Sequence, residues 1–341
     1  MITLVNDTQK VRRANEIGIL DALRNSTAPL TVAELARTTK LSLATCANLI
    51  TILLESEDVM EMDEKESRGG RPARRYRVNP HSTLTLAMVT KFLPDKETIA
   101  YWVVDAVGEV IENSLLEYRE VNTVEFEALI ERMVHKYPNL KGLALSIPGI
   151  VRDGNIALCD LPGLQHVPVK QIVETRWPLT AVIENDMNFA ALGFFQTLSG
   201  NNATGMAYVV FPSNAPPGSG LIVNGSLVKG MSEFAGEVSF IPFGDSRDKQ
   251  VTKLHDPEWM KTFIAKTVTG IAAVTNPDVV VLTGDGLVAG MVPEIRQRCL
   301  EYLPPEHMPH LAYEADYEAD CLSGMIAATH DALQLKKLEN Q

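Results

Sequence analysis

The stretch Glu184-Asn185-Asp186-Met187-Asn188 follows directly on the apolar run Ala181-Val182-Ile183. A carboxylate accepts hydroxyl hydrogens and an amide both donates and accepts, so Asn185 and Asp186 side by side can grip a polyol. The apolar run reads as a buried strand, and Met187–Leu192 as the start of a helix. A buried strand that ends in polar residues just before a helix is where an α/β protein places its ligand groups. The plainer alternative is that Asn185 or Asp186 merely caps that helix.

Length and composition narrow what can surround this stretch. At 341 residues the chain exceeds one ordinary core, so two or three domains are expected. Apolar content of 45% and charged content of 22% describe an ordinary soluble protein. No apolar run is long enough to span a membrane, and the first residues, Met1–Asp7, lack a signal-peptide pattern. Cys46, Cys159, Cys299 and Cys321 lie far apart, which indicates neither a zinc ribbon nor a disulfide framework. The cytoplasm is the expected compartment. A net charge of −12 argues against a protein that coats nucleic acid, but the charge is uneven. Residues 1–80 hold 12 basic and 11 acidic residues, and Lys65–Val78 holds six basic residues against Glu66 alone. Such a local basic patch fits one small surface that meets phosphate.

The elements around that patch predict its use. Val11, Ala14, Ile17, Leu20 and Leu23 form an apolar stripe on a helix over residues 7–25, with Asp7 as its N-cap. Thr31 caps a second helix over Val32–Thr38, with Glu34 placed for a capping box. Lys40-Leu41-Ser42 is a tight turn, and Ser42 caps a third helix whose Cys46, Leu49, Ile50, Leu53 and Leu54 face inward. Two short helices across a tight turn, after a longer one, match a helix-turn-helix. The start of the third helix offers Ser42, Leu43, Thr45 and Asn48 to a groove. Val59–Met62 and Tyr76–Val78 alternate as strands around a basic tip holding Arg68, Gly70-Arg71-Pro72 and Arg74, the pattern of a wing slim enough for a minor groove. The alternatives are a plain three-helix bundle and a solvated linker.

After Asn79-Pro80 the pattern changes. Strands at Leu84–Leu93, Thr98–Asp105 and Glu109–Tyr118 precede a helix at Val124–Lys136, a strand at Leu140–Ile147, a helix at Val169–Arg176 and the strand at 180–184. Strands at Gly205–Phe211, Leu221–Asn224 and Ser226–Val228, then helices, lead to a buried strand at Asp278–Leu282. This order is that of two lobes of a ribonuclease-H-like, actin-like sugar kinase fold. The expected fold class is therefore α/β, a winged helix-turn-helix over 1–80 followed by a two-lobed domain over 81–341. Lobe 1 is expected over about 81–190 with the C-terminal helix, and lobe 2 over about 191–317.

The chain resembles the ROK family of repressors, open reading frames and kinases. Four segments carry the resemblance: Ser146-Ile147-Pro148-Gly149-Ile150-Val151, the run from Leu161-Pro162-Gly163 to Glu184-Asn185-Asp186-Met187-Asn188, Lys229-Gly230 through Ala235-Gly236-Glu237-Val238, and Pro277–Gly286. The basic wing is similar to that of the family's repressor branch. The resemblance implies that Asn185, Asp186 and Glu237 hold sugar hydroxyls. In a kinase of the family Asp186 would also deprotonate the attacking hydroxyl.

Departures from the family pattern shape the expectation. The window Thr90–Thr98 has no glycine where the family's kinases carry D-x-G-G-T. The stretch Phe211–Gly220 carries three prolines where a second phosphate loop is expected, and proline lacks the N–H that cradles phosphate. Asp285 replaces a glycine near where adenosine would sit. Phosphoryl transfer rests on positioning and charge neutralisation, so losing both cradles should abolish it. The family's zinc site also looks given up: Phe240 stands at its histidine, and Gly244–Glu258 contains no cysteine. No metal and no cofactor are expected, with His166 and His255 ordinary loop residues.

The leading expectation is a transcriptional regulator, a repressor, that works as a homodimer or homotetramer, binds a roughly two-fold operator DNA and senses a small carbohydrate. Two alternatives stay open: an active sugar kinase with an appended DNA-binding domain, and a regulator governed by a protein partner without any sugar.

Overall fold

The computed structural model describes residues 7–62, 73–93, 95–198 and 203–339. The chain opens with α1 (Asp7–Arg24), β1 (Leu30–Thr31), α2 (Val32–Thr39), α3 (Leu43–Glu55), β2 (Val59–Met62) and β3 (Arg75–Val78). These strands pair antiparallel in the order β1-β3-β2, which with the helices is the arrangement of a winged helix. Local chemistry fixes the helix ends. The Thr31 hydroxyl accepts from the Glu34 N–H at 3.2 Å, while Glu34 Oε2 accepts from the Thr31 N–H at 2.7 Å, completing the expected capping box. Lys40 closes α2 with φ of +60°, the conformation for which glycine is the usual choice. Ser42 caps α3 by accepting from the Thr45 N–H. Asp7 lies within the helix rather than capping it.

The stripe expected along α1 is only half used. Leu20 and Leu23 are buried with Ile19, but Ile17 is half-buried, Ala14 is exposed, and Val11 is 56% exposed. The three-helix core meets α1 only from its second half. There Leu35, Cys46, Leu49, Ile50 and Leu53 pack with Tyr76 and Val78, and Leu54 stays half-buried.

The next elements are β4 (Leu84–Leu93), β5 (Lys96–Val104), β6 (Val110–Tyr118), α4 (Thr123–Lys136), β7 (Leu140–Ile147), β8 (Gly149–Arg152), β9 (Asn155–Cys159), α5 (Val169–Arg176), β10 (Thr180–Asn185) and α6 (Asp186–Thr197). Then come β11 (Met206–Val210), β12 (Gly218–Val223), β13 (Ser226–Leu227), α7 (Arg247–Lys253), α8 (Pro257–Thr275), β14 (Val279–Thr283), α9 (Val292–Cys299), β15 (His310–Tyr313) and α10 (Tyr317–Glu339). The two five-stranded sheets repeat one plan. Each has a three-stranded antiparallel meander, β4-β5-β6 or β11-β12-β13, whose first strand is extended by two parallel strands, β7-β10 or β14-β15. Neither the β8–β9 hairpin nor β15 is evident from the sequence pattern.

The layers are helix, sheet, helix, sheet, helix. Sheet one packs Leu86, Leu143 and Leu145 against Phe126 and Ile130 of α4 and Val173 of α5. Sheet two packs Val209 and Leu282 against Phe263 and Ile264 of α8. Between the sheets lie α6 and α10, with Phe189, Ala190, Cys321 and Met325 meeting Ala87 and Ala144 on one side and Tyr208 and Val281 on the other. These two helices cross backbone to backbone at glycines. A Cβ on Gly193 would lie 1.9 Å from the Asp320 carbonyl oxygen, and one on Gly324 1.9 Å from that of Phe189.

The link from the winged helix to sheet one is itself hydrogen-bonded. Asn79 N–H donates to Asp58 O, Ala106 N–H donates to Pro80 O, and Asn139 Nδ2 donates to His81 O. Ala106, in the β5–β6 turn, joins the hydrophobic core of the winged helix.

Candidate functional site

The stretch Glu184–Asn188 sits where β10 hands over to α6, at the mouth of the cleft between the two sheets. Asn185 does both things the sequence allows. Its side-chain oxygen caps α6 by accepting from the Met187 N–H at 2.8 Å, and its Nδ2 donates to Gly149 O at 2.8 Å. The amide is therefore largely engaged within the protein, and it ties α6 to the β8 hairpin. Glu184 is 5% exposed and accepts from Asn188 Nδ2 at 3.0 Å and from the Asn185 N–H at 2.9 Å. Its charge is met by Lys229 from the loop after β13, which also lies 3.9 Å from Glu233. Arg152 reaches the same loop at Ser232 O. Lys229 thus joins the two lobes across the cleft. Position in the Lys229-Gly230 motif was its only sequence signal.

Asp186 begins α6, and its carboxylate takes the Met187 N–H at 3.0 Å. Burial raises its pKa, while the neighbouring Tyr317 hydroxyl and the backbone N–H pull it down. Glu237 faces the same space from the other lobe. Its carboxyl is also raised, chiefly by burial; Arg247 opposes the shift and the Asp186 charge adds to it. Two half-buried carboxylates that feel each other across a cleft make an acceptor-rich site for hydroxyl groups. Phe240 flanks it, 50% exposed, with Phe234 edge-on at 4.9 Å and the Arg247 guanidinium over its ring at 4.3 Å.

On its other side Asp186 borders a cavity of about 630 Å³. Its walls include Val89, Phe92, Leu93 and Trp102 from the β4–β5 hairpin, and Pro212. Here the Thr90–Thr98 window forms a β-hairpin, and Lys91 pairs with Glu318 of α10. Asp285 accepts from the Ser213 hydroxyl at 3.1 Å, which ties the end of sheet two to the proline-bearing loop. Among the described residues, no three His, Cys, Asp or Glu side chains converge as metal ligands.

In the winged helix, Leu43 and Asn48 are exposed on α3, and Ala44, Ala47 and Thr51 share exposure there, which sequence reasoning did not single out. Ser42 is exposed, and its hydroxyl bonds the half-buried Thr45 hydroxyl at 2.8 Å as well as capping the helix. Arg74 is exposed and paired with Glu61 at 3.2 Å. Arg68 and Arg71 lie outside the described residues. Arg37 and Lys40 expose further positive charge at the end of α2.

Fold and cleft together define a class: a winged helix mounted on a two-lobed, actin-like α/β domain whose interlobe cleft gathers carboxylates. Residues 96–252 match the family model described as ROK family, and the chain carries a ROK family domain. It is 25% identical over 248 residues to a putative xylose repressor of Caldicellulosiruptor sp., and 23% identical over 242 residues to the xylose repressor of Bacillus subtilis. Each match covers 69% of this chain, and the chain spans 60% and 62% of the length of these two curated relatives. Among solved structures, a ROK family transcriptional regulator, homologous to the E. coli MLC protein, superposes with a TM-score of 0.75 over 97% of this chain and 100% of its own, at 15% identity. A ROK family glucokinase from Streptomyces griseus, in complex with glucose and AMPPNP, matches 73% of this chain and 99% of its own with a TM-score of 0.55 at 17% identity. At these identities the two structures establish the fold.

Proposed function

We propose that this chain is a DNA-binding transcriptional regulator, acting as a repressor, whose cleft senses a small carbohydrate without phosphorylating it. The observation that carries this reading is the winged helix hydrogen-bonded onto a ROK domain whose cleft keeps Asp186 and Glu237. The curated relatives' names make xylose and other pentoses the first ligands to try. In this reading Asp186 and Glu237 accept sugar hydroxyls. Asn185, mostly engaged by its cap and by Gly149, offers one remaining N–H and holds the walls together. Phe240 supplies an apolar face for ring C–H groups.

The winged helix binds an operator as a dimer or tetramer. The start of α3, with Leu43, Asn48 and the Ser42–Thr45 pair, enters the major groove, and Arg68, Arg71 and Arg74 of the wing enter the minor groove. The acidic remainder of the chain stays off the phosphates. Sugar closing the lobes moves sheet one, and the bonded link at Asn79–Thr83 passes that movement to the winged helix, changing the spacing of paired recognition helices. Catalysis is absent in this reading because the β4–β5 hairpin and the proline-bearing loop lack the glycines of a phosphate cradle.

A thermal-shift screen of sugars, sugar phosphates and ATP tests it, with Asp186→Ala alongside. A sugar that raises the melting temperature, loses its effect in the variant and finds no counterpart in ATP supports a sensor. ATP-dependent turnover of a sugar, removed by Asp186→Asn, would replace it with a kinase. Arg71→Ala should weaken operator binding and leave the sugar shift intact; unchanged operator affinity would remove the wing from the mechanism.

A further inference from the structure

A second cavity, of about 450 Å³, lies where the winged helix meets sheet one and α10. Among the described residues, eight buried side-chain nitrogen or oxygen atoms have no hydrogen-bond partner, and three of them belong to side chains lining this cavity. They are Arg24 Nε, Thr83 Oγ1 and His330 Nε2. His330 is only 7% exposed. Buried polar groups are almost always paired, so three orphans around one cavity mark a place where something else completes the bonding. Arg24 is held in place because its Nη1 donates to Asp21 at 3.2 Å, which leaves Nε without an acceptor.

The sign of the missing partner follows from the lining. Arg24, Lys141 and Lys336 are cationic and face one anion, Asp58. Asp21 offsets part of the Arg24 charge, and Asp331, beside His330, lies near it as well. Lys336 donates to Leu179 O and lies 3.9 Å from the Glu174 carboxylate, so the charge left for a ligand is chiefly that of Lys141, exposed at the cavity, with Arg24 beside it. Burial, with the Arg24 charge adding to it, holds His330 neutral with its pKa pushed down to about 3, so its ring presents one N–H instead of a charge. Leu20, Val78, Ala106 and Leu333 supply an apolar stretch of wall, beside the polar Ser56, Ser82, Thr180 and Gln334.

We propose that this junction is a second ligand site, for a small organic oxyanion: a carboxylate or a phosphate ester on a short carbon body. Guanidinium and ammonium groups bind the oxyanion, His330 and Thr83 hydrogen-bond it, and the apolar wall takes the carbon body. The ligand bridges α1 to α10 and so fixes the orientation of the winged helix on sheet one. This site is independent of what the interlobe cleft binds, and it gives the DNA-binding unit its own metabolic input.

The test is isothermal titration calorimetry on the full chain at constant ionic strength, with citrate and glycerol 3-phosphate as probes. The variants are His330→Leu, Lys141→Gln and the cleft variant Asp186→Ala. Saturable binding of either probe is expected, weakened about tenfold or more by Lys141→Gln and by His330→Leu and unchanged by Asp186→Ala. Lys141 is exposed, so its variant decides the matter even if His330→Leu fails to fold. Binding of citrate alone or of glycerol 3-phosphate alone identifies which oxyanion the site takes. No saturable binding of either probe to the unaltered protein overturns the proposal. So does binding that Lys141→Gln leaves unchanged, which would place the anion elsewhere.

Discussion

On one side of Asp186, Glu184 holds the side chains of Asn188 and Lys229, Asn185 is tied to Gly149 O, and the Lys229–Glu184 pair crosses from lobe to lobe. On the other side the wall includes Val89, Phe92, Leu93, Trp102 and Pro212, and Lys91, the one lysine lining it among the described residues, is paired with Glu318. The two ends share one carboxylate and one floor, the crossing of α6 and α10, yet they suit different guests. The first can exchange hydrogen bonds with hydroxyl groups. The second sets Asp160, Asp186 and Glu318 against one lysine in a pocket walled mainly by apolar side chains. The polar contacts come from β10, α6 and the loop after β13 and the apolar ones mainly from β4 and β5, so the two ends of the cleft can vary separately.

The largest effect comes from removing the floor beneath both ends. Gly193→Ala drives a methyl group into the α10 backbone and should cost about 3 kcal/mol or more, read from urea unfolding. A near-neutral result would mean the helices do not cross this closely. Next in size, Asp186→Ala should erase the sugar-induced stabilisation, about 2–3 kcal/mol at a hundredfold excess over Kd, measured by thermal shift. If the shift survives, recognition does not run through the shared carboxylate.

Lys229→Met leaves Glu184 buried without its cation. It should cost about 1–3 kcal/mol and weaken sugar binding, whereas Lys91→Met breaks an exposed pair and should change stability by about 0.5 kcal/mol or less. Equal losses in the two variants would erase the contrast between the ends. An effect of opposite sign belongs to Asp320 on α10, which accepts from the Tyr208 hydroxyl at 2.7 Å and whose pKa burial raises to about 6. A carboxyl raised in the folded state is unpenalised below its ordinary pKa near 3.8 and destabilises as pH rises through about 6. Asp320→Asn should therefore gain about 1 kcal/mol at pH 7.5, an advantage that disappears toward pH 4 in melts across that range.

Much of this architecture was legible where the signal is local. The strand Leu140–Ile147 and the helix Val169–Arg176 lie within the bounds their hydrophobic patterns predict, and the Thr31–Glu34 capping box closes as its spacing requires. Two-residue alternation, helical spacing and a cap are properties of neighbours in the chain. The α1 stripe misled because periodicity states which face is apolar but not whether anything lies against it, and Val11 has no such cover. The strand β15 escaped notice because four residues carry too little pattern.

Residues a few positions apart in the sequence fix most of the elements, their order and the clustering of Asn185 and Asp186 at the end of a strand. Only the tertiary structure decided that Asn185 is engaged with Gly149, that Lys229 answers Glu184 from the other lobe, and that Gly193 meets Gly324. It also decided that Arg24 and His330 share one cavity. Those partners lie tens to hundreds of residues apart, and closing such loops leaves no trace in local pattern; only the packed layers bring the groups within reach of a hydrogen bond.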